Sequence, residues 1–89
     1  MITIYSRPGC HLCEEMKAVV ERAVRATGRA LPIDEVDISG DPQLEGRYGL
    51  EIPVLVIDGK KVAKYRIGEA ELLRIVMRRA DGERLRAKG

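Results

Sequence analysis

The chain has 89 residues, of which 45% are hydrophobic and 34% are charged. This length allows one domain with one core, and the composition is that of a soluble globular domain rather than a disordered or membrane-spanning chain. Sixteen basic and fourteen acidic residues leave a net charge of +2. A charge this small does not indicate a nucleic-acid partner.

The first residues, Met1 to Tyr5, lack the basic and apolar regions of a secretory signal. The longest apolar stretch, Ile52–Ile57, is too short to cross a membrane. We therefore expect a cytoplasmic protein with no membrane partner, although a mature secreted protein would begin in the same way. In a reducing compartment a pair of cysteines is seldom a structural crosslink.

The first half of the chain predicts two strands and two helices. Ile2–Tyr5 is a short, β-branched apolar run that enters a Pro-Gly loop, which indicates a buried strand. Apolar residues then recur at helical spacing from Leu12 until Gly28, the predicted stop. Leu31–Ile38 predicts a partly exposed edge strand, and a short second helix is predicted between the cap Asp41 and Gly49.

The second half predicts a hairpin and a third helix. Pro53–Ile57 and Lys60–Tyr65 flank Asp58-Gly59, the pattern of a type I′ turn, and the lysines of the second strand protect an outer edge. Gly68–Ala80 carries an apolar stripe with an acidic start and a basic end, which predicts a helix. The element order β-α-β-α-β-β-α predicts an α/β domain with a mixed sheet.

The last residues, 81–89, are predicted to form a frayed, basic C-terminal tail, which leaves residues 1–80 as the domain. A nucleic-acid contact through this tail is the weaker interpretation. No aromatic residues interleave its arginines, and Glu83 interrupts the basic run.

Cys10 and Cys13 stand where the first strand gives way to the first helix. The sulfur of Cys10 is expected at the start of the helix, where unpaired amides and the positive end of the helix dipole favour a thiolate. Cys13, one turn further on, lies within reach of a mixed disulfide formed at Cys10. The spacing therefore predicts a catalytic dithiol in which Cys10 attacks and Cys13 resolves.

Two other interpretations of the cysteines are open. A structural zinc site needs four ligands, but His11 lies between the two cysteines, so zinc would require a second chain or borrowed carboxylates. The protein would then be a zinc-bridged or redox-sensing binding module rather than an enzyme. An inert, packed pair is the other alternative, whereas the position of Cys-x-x-Cys directly after a strand favours redox chemistry.

The segment Ile4–Cys13, together with Ile52-Pro53-Val54 and Asp58-Gly59-Lys60, resembles the glutaredoxin-like proteins of the thioredoxin superfamily. The resemblance implies a thioredoxin fold with four strands in the order 2-1-3-4, helices one and three on one face and helix two on the other. It also implies a monomeric thiol-disulfide oxidoreductase of cell redox homeostasis. Its partners would be disulfide-containing proteins and an upstream thiol reductant.

The resemblance also implies site residues around the dithiol. Pro53 would be a cis proline beside Cys10, and the main chain of Ile52 would pair with an extended substrate. From the residues alone, Pro53 is equally the first residue of a strand. Arg7, three residues before the first cysteine, matches the basic residue that contacts glutathione in glutaredoxins.

Other positions depart from the glutathione-binding pattern. Leu12 stands where an aromatic residue is typical, Glu51 replaces a threonine, and the Gly-Gly pair is missing. Side chains in place of those glycines would obstruct a ligand backbone, and Glu51 would place a negative charge beside a thiolate or a glutathione carboxylate. We expect no bound cofactor, and glutathione as the reductant is left open.

Overall fold

The computed structural model describes residues 2–88, and the side chains of residues 2–78. The elements follow one another in the predicted order. They are β1 (Ile2–Ser6), α1 (His11–Thr27), β2 (Ile33–Asp37), α2 (Pro42–Tyr48), β3 (Val54–Ile57), β4 (Lys60–Lys64) and α3 (Glu69–Lys88).

The four strands form one mixed sheet in the order β2-β1-β3-β4. β1 pairs with β2 in parallel and with β3 antiparallel, and β4 completes the sheet antiparallel to β3. The charged residues of β2 and β4 are exposed at the two edges, where they discourage pairing with other chains. The sheet order implied by the resemblance is confirmed.

Successive side chains of a strand point to opposite faces of the sheet. Because β3 and most of β1 are apolar at successive positions, the sheet has an apolar surface on both faces. On one face, strand residues pack against α1 and α3, and the buried set is Ile2, Ile4, Met16, Val20, Ala23, Leu55, Ile57, Leu72 and Val76. On the other face, Val54 packs with Ile38 and with Tyr48 of α2. The predicted placement of the three helices is thus confirmed.

Local signals account for where the elements begin and end. α1 ends at Thr27 and is capped by Gly28, whose φ of 71° is the left-handed conformation of a helix stop. The carboxylate of Asp41 caps α2 by accepting hydrogen bonds from two amides of its first turn, at 3.0 and 3.2 Å. Asp58 and Gly59 both have positive φ, as a type I′ turn requires.

The third helix is longer than the sequence predicts. Its predicted end is Ala80 with a frayed tail behind it, whereas α3 continues to Lys88. Residues 83–88 have a high helix propensity, and their summed preference outweighs the cost of about 1 kcal/mol for Gly82 inside a helix. Neither α3 nor any other helix in the described part of the chain is long and apolar enough to cross a membrane.

The register between β1 and β3 brings two loops to one end of the sheet. Tyr5 lies opposite Val54, so the next residues outward are Ser6 on one strand and Pro53 on the other. The peptide bond before Pro53 is cis, as the resemblance implied. α1 begins at the same end, because it follows directly on the loop after β1.

Candidate active site

Cys10 is the N-cap residue of α1. Its backbone is extended, with φ −91° and ψ 113°, and its sulfur accepts a hydrogen bond from the backbone amide of Cys13 at 3.1 Å. The sulfur thereby satisfies one of the unpaired amides at the helix start, where the helix dipole also favours negative charge. The predicted placement of this sulfur is confirmed.

Cys10 and Cys13 are joined by a disulfide, with their Cα atoms 5.2 Å apart. Cys13 lies one turn inside the helix and is only 3% exposed, whereas Cys10 is half-buried. The structure is therefore that of the oxidised pair. The difference in exposure suits the two expected roles, because the attacking sulfur of Cys10 must be reached by a substrate whereas the resolving sulfur of Cys13 need reach only Cys10.

A cleft of about 240 Å³ lies beside the two cysteines. It is formed by the loop after β1, the start of α1 and the edge strand β2, and we call it the dithiol cleft. Its lining residues are Ser6, Arg7, Pro8, Gly9, Cys10, Cys13, Glu14, Glu35 and Asp37.

Carboxylates of β2 give the dithiol cleft an acidic side. Glu35 pairs with Lys17 at 3.3 Å and accepts a hydrogen bond from the buried Ser6 hydroxyl at 3.5 Å. Asp37 accepts hydrogen bonds from the hydroxyl and from the amide of Ser39. Both lower the pKa of its carboxyl, and the hydroxyl has the larger effect. Sequence reasoning missed these residues, because the charges of β2 indicate only an exposed edge until its pairing with β1 is known.

Arg7 lines the dithiol cleft, but its guanidinium is already paired. It forms an ion pair of 2.5 Å with Glu45 of α2, and the two side chains are 40% and 39% exposed. The two residues are 38 positions apart, so no local pattern predicts the contact. One nitrogen of the guanidinium that the resemblance assigned to a ligand carboxylate is thus paired with a carboxylate of the protein.

The segment that ends at the cis proline, which we call the Leu50–Pro53 segment, leaves the main chain of Ile52 unpaired among the described residues. The Ile52 side chain packs against the apolar cluster of Ile38 and Val54. No hydrogen bond joins the Ile52 main chain to any other residue within the described chain. An unpaired main chain next to a strand is what strand addition by a peptide needs.

Glu51, in the same segment, is balanced by two lysines of β4. Its carboxylate accepts a hydrogen bond from Lys61 at 2.6 Å and lies 3.8 Å from the ammonium of Lys64. The Lys61 hydrogen bond and the charge of both lysines lower the pKa of Glu51 below its ordinary value of 4.5. The negative charge expected to oppose a thiolate is therefore compensated within the protein.

Tyr65 contacts both ends of the Leu50–Pro53 segment. Its amide donates to the Pro53 carbonyl and its hydroxyl donates to the Leu50 carbonyl, each at 2.9 Å. The sequence predicts it as the last residue of a strand, but β4 ends at Lys64 and Tyr65 turns away with a φ of 66°. This conformation costs a non-glycine residue roughly 1–2 kcal/mol, so propensity gives no signal for it.

His11 is exposed beside the dithiol. Among the side chains of residues 2–78, no group of three or more His, Cys, Asp or Glu residues is placed to hold a metal ion.

Known proteins similar to this chain point to the same fold and family. The family model of the glutaredoxin-like domain matches residues 1–88. A protein of Dictyostelium discoideum described as "Glutaredoxin-like protein YDR286C homolog" is 36% identical over 76 residues, which cover 80% of this chain and 69% of that protein.

Two solved structures extend the comparison. The structural genomics target XcR50 from X. campestris has a TM-score of 0.65 at 31% identity, covering 85% of this chain and 95% of that one. Thioredoxin 1 of Thermosipho africanus has a TM-score of 0.64 at 12% identity, covering 93% and 97%, a likeness that shows the fold alone.

These comparisons confirm the thioredoxin fold that the sheet order and the helix placement display. A disulfide-forming Cys-x-x-Cys pair at the start of α1 of this fold supports a redox-type role. The chain belongs to the glutaredoxin-like family of the thioredoxin superfamily.

Proposed function

We propose that this protein is a thiol-disulfide oxidoreductase that reduces protein disulfides and mixed disulfides through Cys10 and Cys13. The observation that carries the proposal is the sulfur of Cys10 at the N-cap of α1, hydrogen-bonded by the amide of Cys13 and within disulfide reach of its sulfur. The helix start favours the thiolate, which is the nucleophilic form.

The reaction proceeds in two exchanges that transfer two electrons. The Cys10 thiolate attacks one sulfur of the substrate disulfide, so that a mixed disulfide forms and the other substrate sulfur leaves as a thiolate. Cys13 then gives up its proton to solvent and attacks the sulfur of Cys10. The second substrate thiolate leaves, the substrate is reduced, and the Cys10–Cys13 disulfide is the oxidised product on the enzyme.

A thiol reductant, either one dithiol or two monothiols, must return two electrons to this disulfide before the next turnover. The cytoplasm supplies such reductants, and we propose that the protein works there as a monomer in cell redox homeostasis. The reaction defines the class of the upstream donor: it is a thiol compound or a disulfide-reducing enzyme, because either can reduce the Cys10–Cys13 disulfide by two electrons.

The surroundings of the dithiol favour a polypeptide substrate over bound glutathione. Arg7, the position matched to glutathione contact, is paired with Glu45. By contrast, the main chain of Ile52 has no partner among the described residues and is available to an extended peptide. We therefore place Ile52 and Pro53 in the substrate-binding surface and expect Arg7 to contribute less.

Insulin reduction with dithiothreitol as electron donor tests the proposal. The native protein is expected to accelerate the reduction, and Cys10→Ser is expected to abolish the acceleration. Cys13→Ser retains the nucleophile but cannot resolve. When this variant is reduced, freed of dithiothreitol and mixed with insulin, its mixed disulfide with insulin is expected to accumulate and to be detected by mass spectrometry. Turnover that survives Cys10→Ser would overturn the mechanism.

A second measurement separates the candidate electron donors. The oxidised protein is mixed with reduced glutathione, and the products are identified by mass spectrometry. We expect no glutathionylated Cys10 to accumulate and no saturable binding of glutathione, because the Gly-Gly pair that admits the ligand backbone in glutaredoxins is missing from this chain. Saturable binding with a glutathionylated Cys10 would assign glutathione as the reductant.

A further inference from the structure

Side-chain contacts from β4 and the residue after it fasten the Leu50–Pro53 segment to the sheet. The carboxylate of Glu51 is held by Lys61 and Lys64. Tyr65 adds a hydrogen bond at each end of the segment, from its hydroxyl to the carbonyl of Leu50 and from its amide to the carbonyl of Pro53.

The Leu50 end of the segment has little other support. The side chain of Leu50 is 93% exposed, so apolar packing does not hold this residue in place. The amide of Glu51 donates to the Tyr48 carbonyl at 2.8 Å, which ties the segment to α2. On the side of β4, the Tyr65 hydroxyl is the group that restrains the Leu50 carbonyl, at 2.9 Å.

Ile52 lies between the two carbonyls that Tyr65 holds, and its own main chain has no hydrogen-bond partner among the described residues. A peptide that pairs with the main chain of a protein binds more tightly when that main chain is already ordered, because binding then costs less conformational entropy. The two Tyr65 contacts supply such ordering on both sides of Ile52.

We propose that Tyr65 is a positioning residue that holds the main chain of Ile52 in place for pairing with an extended polypeptide substrate. This inference rests on the proposed function and specifies how the same site selects polypeptides over small disulfides. Tyr65 touches neither the sulfurs nor the substrate in this role. It acts through the carbonyls of Leu50 and Pro53.

The test compares a protein disulfide with a small one. Tyr65→Phe keeps the ring, which lies 5.7 Å from the ammonium of Lys64, and removes the hydroxyl that reaches Leu50. We expect the KM for insulin to rise about fivefold, the equivalent of one net hydrogen bond, with kcat unchanged. The KM for dithiobis(nitrobenzoate) is expected to stay at the native value, because this disulfide has no main chain to pair.

A matched control and a second variant complete the test. Thr27→Val removes a hydroxyl that donates to the main-chain carbonyl of Val24 at 2.6 Å, at the opposite end of α1 from the dithiol, and is expected to leave both KM values unchanged. Tyr65→Gly suits the left-handed backbone and removes the whole side chain. It is expected to raise the insulin KM at least as much as Tyr65→Phe does.

The outcomes are distinguishable from those of the proposed function. An unchanged insulin KM in Tyr65→Phe, or an equal change for both substrates, would overturn the positioning role while Cys10→Ser still abolished turnover. Insulin reduction by Cys10→Ser would instead overturn the proposed function itself, whatever the Tyr65 variants do.

Discussion

The backbone amide of Cys13 donates a hydrogen bond to the sulfur of Cys10 across 3.1 Å. One atom thus serves both as the cap of α1 and as the proposed nucleophile. The two roles are separable by substitution, since a hydroxyl oxygen accepts the same hydrogen bond and a methyl group does not.

Cys10→Ser and Cys10→Ala form a matched pair. Both variants lack the disulfide and are expected to be inactive with insulin, but serine caps α1 and alanine leaves the amide of Cys13 unpaired. We expect Cys10→Ala to be less stable than Cys10→Ser by about 1 kcal/mol in urea unfolding. Equal stabilities would contradict the capping role, and activity in either variant would contradict the nucleophilic one.

Signals within a few residues predict most of this fold. Gly28, Asp41 and the Asp58-Gly59 turn each fix a boundary through a local backbone conformation or cap. The placement of Cys10 and Cys13 is predictable for the same reason, because both lie at a single junction between a strand and a helix.

Contacts between distant segments are not predictable in this way. Arg7 meets Glu45 only because α2 packs beside the loop after β1. Tyr65 reaches Leu50 across 15 positions, and does so with a backbone conformation that its propensity disfavours. Pairing of this kind depends on sheet register and helix docking, which propensity and spacing do not encode.

The core of the α1 and α3 face should respond strongly to truncation. Leu55 is fully buried in the central sheet, and Leu55→Ala both removes its transfer free energy and leaves a cavity. We expect a loss of about 2–5 kcal/mol in the free energy of unfolding, measured in urea. The control Met77→Ala, at a side chain that is 43% exposed, is expected to change it by less than about 0.5 kcal/mol. Similar losses in the two variants would contradict the assigned burial.

The ion pair between Arg7 and Glu45 should be weak despite its short distance. Both side chains are about two-fifths exposed, so water and salt screen their attraction. A double-mutant cycle of Arg7→Gln and Glu45→Gln is expected to give a coupling below about 1 kcal/mol, and the coupling should shrink in 1 M salt. A large coupling that resists salt would show that the pair is shielded, which its exposure does not support.

The ionisation of Glu51 reports whether β4 holds the Leu50–Pro53 segment in solution. The hydrogen bond from Lys61 lowers the pKa of this carboxyl below 4.5, so its midpoint in an NMR titration should lie under that value. A lowered folded-state pKa contributes stability above the unfolded value of 4.5, and the contribution is lost as the pH falls through the folded-state pKa.

Lys61→Gln removes the largest cause of this shift, so the Glu51 midpoint is expected to move up towards 4.5, with Lys64 still lowering it. Lys60→Gln is the matched control, since this exposed neighbour in β4 forms no ion pair with Glu51 among the described residues. A Glu51 midpoint at or above 4.5 in the native protein, or equal movement in both variants, would show that the contact with Lys61 does not persist in solution. The Leu50–Pro53 segment would then depend on Tyr65 and on the longer contact between Lys64 and Glu51 for its attachment to the end of β4, and the Tyr65→Phe effect on the insulin KM should be correspondingly larger.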